Sequence, residues 1–296
     1  MADKVAVVTD SNKGIGFDTV RKLCKRGIGY VYLTATELEK GKEAVEKLNK
    51  EGFNPLFYEL NVTDEHSVKK FAEHLKEKHG GLDILINNAS VRTASLVDTT
   101  YEDSVRVLDI NYFSLLTIQK YIFPILKDNA RVINITSECG HISNLKNMYW
   151  VNRLTKEDIT QEDIDEFVYW FFNSVKNGTL NEDDFEEMYI LAYRISKIAV
   201  CALTRVQQRV VGRGISVNSL HPDSGGGSPK DEDSDSPVYL ALDIDQSVKG
   251  KYFWIPYVIL KTLFLRKPLT SHRFRNLVGV SLFGKRLTRH LCGMLI

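Results

Sequence analysis

Short apolar runs recur along the chain: KVAVVT (4–9), YVYLTA (30–35), PLFYEL (55–60), LDILIN (82–87), ARVINIT (130–136), ISVNSLH (215–221) and KYFWI (251–255). They are continuous rather than alternating, as strands covered on both faces require. Between most of them, apolar residues fall at helical spacing, as in GFDTVRKLCKRG and DEHSVKKFAEHLKEKHG. Strand–helix alternation of this kind predicts an α/β chain, a doubly wound parallel sheet with helices on both faces.

Two segments break the rhythm. Residues 138–192 are polar and rich in helical patterning; within them ITQEDIDEFVYWFFNSVKNG places Thr160 as an N-cap and Asn177-Gly178 as a stop. Residues 223–236, DSGGGSPKDEDSDS, have no apolar residue to anchor a core and are expected to form a mobile loop.

Charge changes the picture only at one end. Lys and Arg total 39 against 38 Asp and Glu, but residues 255–296 hold eight basic residues and no acid, so the tail carries +8 and residues 1–254 carry −7. IPYVILKTLFLRK within that tail is apolar, then basic. It suits an anionic membrane surface, the acidic body of its own chain, or a disordered appendage. It is too short to span a bilayer, and no reader motif accompanies the charge to suggest nucleic acid. The four scattered cysteines form no CxxC pair, which argues for reduced thiols in a cytoplasmic protein, with no disulfide framework and no metal site. The chain opens directly on a strand, so no signal peptide is expected.

The candidate chemistry gathers at strand ends. Tyr193 and Lys197 lie four residues apart in a helix-like stretch and share one face. Ser137 closes the fifth strand, Asn87-Asn88-Ala89-Ser90 closes the fourth, Asn111 follows in VLDINYF, and TDSNKGIG joins the first strand to the first helix. Open α/β sheets bind ligands at that carboxyl edge.

This ordered set resembles the short-chain dehydrogenase/reductase family. TDSNKGIG stands for its TGxxxGxG, NNAS for NNAG, and Asn111, Ser137, Tyr193 and Lys197 for its catalytic residues. The resemblance covers residues 3 to about 254 and implies a Rossmann-type reductase domain over 1–254, with a helical insertion (about 140–190) between strand five and the Tyr–Lys helix, the 223–236 loop, and the separate tail 255–296. Ser137 and Tyr193 stand 56 positions apart, against roughly a dozen usual in the family. That insertion, with NKGIG, LTA and SPVYLAL, looks like the monomeric carbonyl reductase branch, in which it covers the face other members use to oligomerise; a monomer is implied.

The resemblance further implies hydride transfer from NADPH, ahead of NADH, to a small aldehyde, ketone or quinone. Tyr193 would donate the proton, Lys197 would stabilise phenolate and hold the nicotinamide ribose, Ser137 would bind the carbonyl oxygen, and Asn111 would hold a water relaying protons to Lys197. Asp10, Asn12, Lys13, Gly14, Ile15, Gly16, Thr36, Asn61, Val62, Asn88 and Pro222 would bind the cofactor. Several of these depart from the family pattern. Asp10 replaces a glycine and brings a carboxylate towards the phosphates. Thr36 stands where the branch carries an arginine for the 2′-phosphate, Asn61 replaces an aspartate, and Ser90 and Asp223 replace glycines. Gly227 falls where a threonine would bind the carboxamide. Lys13 offsets part of the loss at the 2′-phosphate, and Glu37 could instead serve the ribose of NADH. The alternative to the enzyme is a non-catalytic binding or scaffold protein of the same fold, with impaired cofactor binding.

Overall fold

The computed structural model describes residues 1–222 and 234–254; the basic tail, and with it the expected membrane contact, lies outside the described residues, as do Asp223 and Gly227. Seven strands form one sheet: β1 (Val5–Val8), β2 (Tyr30–Ala35), β3 (Leu56–Glu59), β4 (Leu82–Asn87), β5 (Leu126–Ile135), β6 (Ser216–His221) and β7 (Tyr252–Trp254). Their order is β3-β2-β1-β4-β5-β6-β7 and every pair is parallel. The order reverses between β1 and β4, which opens the ligand crevice of a doubly wound sheet.

Period-two alternation sorts each strand between two cores. Ala6 and Val8 of β1 join a cluster with Val20 and Leu23 of α1 (Gly14–Lys25). Val5 and Val7 face the other way, onto Phe71 and Leu75 of α3 (Glu65–His79). The remaining crossover on the first half is α2 (Leu38–Lys50). On the second half, α4 (Tyr101–Leu108) runs through a π-turn at Asp109–Phe113 into α5 (Ser114–Tyr121).

The insertion contains α6 (Met148–Thr155) and α7 (Gln161–Lys176). Thr160 caps α7 in a reciprocal box with Asp163, and Asn177 closes it before Gly178 at φ +62°. The apolar face of α7, including Ile164, Phe167, Val168 and Phe171, is buried with Val107 and Leu108 of α4 and with Ile195 and Ile198 of α8 (Leu191–Val211). Tyr112 of the π-turn fixes the contact by donating to Asp165 at 2.7 Å. A buried polar chain then ties α8 to the sheet: Asn87 donates to Asn134, and Asn134 donates to Thr204 and Gln207, at 2.8–2.9 Å.

Two expected boundaries move. β5 begins at Leu126 rather than residue 130, because Leu126 pairs with Leu82 across a register shift that absorbs the polar Lys127-Asp128-Asn129. The expected mobile loop ends early: residues 223–233 lie outside the described residues, but Ser234 is buried and Asp235 starts α9 (Asp235–Leu242). Val238, Leu240 and Ala241 anchor α9 in the core beside α1, and Asp235 pairs with Lys22 at 2.6 Å, so the polar start of the segment is drawn in.

Candidate active site

The first strand–helix turn is shaped for an anion. Lys13 occupies the N-cap of α1 with no side-chain capping bond, and the first turn holds no acid. Its backbone N–H groups are therefore available to a phosphate. Gly14 has φ +58° with open space where a Cβ would stand. At Gly16 a Cβ would lie 2.6 Å from Asn88 Nδ2 and 2.8 Å from Ser11 Cα, so only glycine lets α1 approach the end of β4. Asn88 locks the turn by donating to the carbonyls of Thr9 and Asp10, both at 2.9 Å, while its own N–H and that of Ala89 reach Thr9 Oγ1.

Asp10 departs from this frame in two ways. Its backbone sits at φ +47°, a conformation that favours glycine. Burial also pushes its carboxyl above the usual carboxylate range, opposed by the neighbouring charge of Lys13.

At the other end of the crevice Ser137 follows β5, and its hydroxyl accepts from Cys139 N at 3.3 Å. Tyr193 lies in the first turn of α8, 9 % exposed, and Lys197 one turn on is 2 % exposed. Lys197 Nζ donates to Ile135 O at 3.1 Å and stands 5.3 Å from the centroid of the Tyr193 ring. Burial pulls the Lys197 amine down to about 8. Burial first, and Cys139 second, push the Tyr193 phenol up; hydrogen bonding from Ser137 and the charge of Arg92 hold it back. The cation facing the phenol from the open side is thus Arg92, whose guanidinium carbon lies 6.0 Å from the ring centroid. Ile190, packed against Tyr193 and Cys139, is a β-branched residue held at φ +46° with its N–H on Leu96 O. Such strain concentrates at functional sites.

Asn111 sits in the π-turn and is buried. Its side chain accepts from Val91 N and donates to Val91 O and Ser196 Oγ at 2.8–2.9 Å, and Ser196 donates on to Tyr193 O. The amide therefore braces the loop after β4 against α8; none of these bonds goes to Lys197.

One cleft of about 410 Å³ brings together Asp10, Lys13, Gly14, Ile15, Gly16, Asn88, Ser137, Tyr193, Lys197 and Pro222. Asn12, Thr36, Asn61, Val62 and Asn111 do not line it. Thr36 is exposed just past β2, Asn61 closes a turn by accepting from Thr63, and Val62 is buried in the core behind β1. Arg92, Thr136 and His221 line the cleft without having been singled out in the sequence; the one signal for Arg92 is a cation close behind a ligand-edge strand.

Over 256 residues the chain is 33% identical to carbonyl reductase (NADPH) 1 of Bos taurus, covering 80% of this chain and 90% of the relative. This chain belongs to the short-chain dehydrogenase/reductase family. The family profile described as short chain dehydrogenase matches residues 4–149. Among solved structures, salutaridine reductase from Papaver somniferum superposes with a TM-score of 0.77 at 29% identity, over 85% of this chain and all of that one. Menthone neomenthol reductase from Mentha piperita gives 0.73 at 26%, over 84% and 98%. Within this family, the carbonyl reductases are the branch the chain resembles, and the fold and an oxidoreductase role follow from that membership.

Proposed function

We propose that this family member is an NADPH-dependent carbonyl reductase acting on aldehydes, ketones or quinones. The observation that carries the reading is the meeting of half-buried Ser137 with buried Tyr193 and Lys197 in one corner at the carboxyl edge of the sheet. The rest of the cleft offers groups suited to the phosphate and nicotinamide parts of a dinucleotide. The uncapped N-terminus of α1 and the open face of Gly14 would take the pyrophosphate, Lys13 would reach a 2′-phosphate, and Lys197 would hold the nicotinamide ribose. Glu37, the carboxylate beside Thr36 that would serve NADH, is engaged with Lys40 at 2.7 Å.

When bound, the nicotinamide supplies the hydride. The chain's own residues supply the proton and the geometry. Ser137 Oγ and the Tyr193 hydroxyl bind the carbonyl oxygen, and Tyr193 gives up its proton as negative charge develops there. The phenolate left behind is stabilised by Lys197 and Arg92, both within 6.0 Å of the ring centroid. Asn111 and Ser196 hold the first turn of α8 in register with the loop after β4. The test is NADPH consumption with a quinone and a small aldehyde, in the wild type and in Tyr193→Phe. Turnover that Tyr193→Phe loses supports the enzyme; equal rates for every substrate reject it.

The placement of Asp10 favours a second reading, a binding protein that no longer takes up cofactor. Calorimetry separates the two: micromolar NADPH affinity excludes the second, and no heat at millimolar NADPH and NADH excludes the first. We also assign a monomer in the cytosol. α7 covers the outer faces of α4 and α8 with a continuous apolar core, leaving that face unavailable for a second copy. Sedimentation equilibrium at the mass of a dimer would contradict it.

A further inference from the structure

Carbonyl reduction needs a proton donor, a cation behind it and a partner for the oxyanion. Tyr193, Lys197 and Ser137 fill those parts; Arg92 lies outside the triad and is exposed on the open side of the cleft. Its backbone is held unusually firmly for a loop. Val91 is bound at both N and O by Asn111, Arg92 O accepts from Arg106 at 2.7 Å, and Ala94 N donates to Asp103 at 2.8 Å.

Its head is the exception among the described arginines. Arg21, Arg26, Arg106, Arg153 and Arg194 are paired with carboxylates. Arg131, Arg205, Arg209 and Arg213 spend their guanidinium groups on backbone carbonyls. Arg92 has neither kind of partner among the described residues; its guanidinium hydrogen-bonds the Tyr193 hydroxyl instead, its carbon 6.0 Å from the ring centroid. Lys197, on the same ring at 5.3 Å, also lacks a carboxylate partner there, and the charge of Arg92 opposes its own. Two cations therefore face one small volume, and among the described residues neither is paired with a carboxylate. A guanidinium is a rigid fork that matches a carboxylate with two parallel hydrogen bonds.

We propose that Arg92 is a specificity-determining residue, and that the site selects carbonyl substrates carrying a carboxylate close to the reducible carbonyl: oxo acids over their neutral esters. The inference rests on the carbonyl reductase reading. The ketone oxygen lies on Tyr193 and Ser137 while the carboxylate meets Arg92, and the product is the hydroxy acid.

The test compares phenylglyoxylate with its methyl ester in the wild type, Arg92→Leu and Arg92→Lys. The readout is the acid-to-ester ratio of kcat/KM, because any effect of Arg92 through the phenol acts on both substrates and cancels. The ratio falls about ten- to hundredfold in Arg92→Leu, and Arg92→Lys lies between. An equal ratio in wild type and Arg92→Leu overturns the proposal. Calorimetric titration of phenylglyoxylate in the presence of NADP⁺, which has no hydride to give, supplies a readout without turnover: affinity lost in Arg92→Leu supports the assignment, and equal binding to both proteins or no binding to the wild type overturns it. Failure of the underlying reading looks different, since neither compound would then be reduced faster by the wild type than by Tyr193→Phe.

Discussion

The two halves of the crevice are held by different means. At the α8 end, Tyr193 and Lys197 are buried, Asn111 and Ser196 brace the backbone around them, and the Asn87–Asn134–Thr204 chain fastens α8 to the sheet beneath. At the β1–β3 end, glycine geometry and Asn88 still form a phosphate turn, but a carboxylate occupies a left-handed position in it, and Thr36 and Asn61 stand exposed. The proposed reactive corner is over-determined by contacts with the core, whereas the proposed dinucleotide corner depends on a few backbone conformations. Substitutions should therefore act on chemistry at one end and on affinity at the other.

The sharpest break is expected at Tyr193. Tyr193→Phe keeps the buried ring and removes the proposed proton donor, so kcat should fall about 10²- to 10⁴-fold while NADPH affinity by calorimetry stays near wild type. Equal losses in both would mean that the two ends are not separable.

Lys197 follows. Its amine titrates near 8 in the fold against 10.5 ordinarily, because burial penalises the charged form. Between those values the unfolded chain carries a proton that the native state has released. Stability therefore rises with pH across that window, by up to about 3 kcal/mol; the penalty is full below pH 8 and gone above about 10.5. Urea unfolding of the wild type minus Lys197→Met, taken from pH 7 to 10.5, should show that rise, and a flat difference would place the charge of Lys197 in water.

The glycines of the first turn sharpen the other end. Gly16→Ala should lose about 1–3 kcal/mol in urea unfolding, since its Cβ meets Ser11 and Asn88. Gly14→Ala meets no atom and carries only backbone strain, about 1 kcal/mol. At Asp10 the effect is on affinity and of the opposite sign: Asp10→Gly removes the carboxylate and suits φ +47°, so the NADPH Kd should fall about tenfold, or about 1.4 kcal/mol. An unchanged Kd would mean that the carboxylate is not what weakens the site.

Much of this was legible in the chain. Apolar runs mark all seven strands; in the central ones both faces are covered and no polar face confuses the pattern, while the edge strands β3 and β7 are only partly buried. Thr160 and Asn177-Gly178 mark α7 through capping chemistry that is local in sequence. What stayed hidden depends on contacts distant in sequence. The early start of β5 needs Leu82 as its partner, and the order of residues 234–236 needs the α1 face and Lys22. The bonds of Asn111 to Val91 and Ser196 join segments 20 and 85 positions away, and no spacing rule reports them. The backbone signs at Asp10 and Ile190 run against residue preference, and Arg92 belongs to no motif.

The most direct test of the contrast is NADPH consumption with a quinone, titrated in NADPH for the wild type and Tyr193→Phe. The account predicts turnover in the wild type that saturates only at high cofactor concentration and is lost in Tyr193→Phe throughout. Identical rates for the two proteins at every NADPH concentration would contradict it.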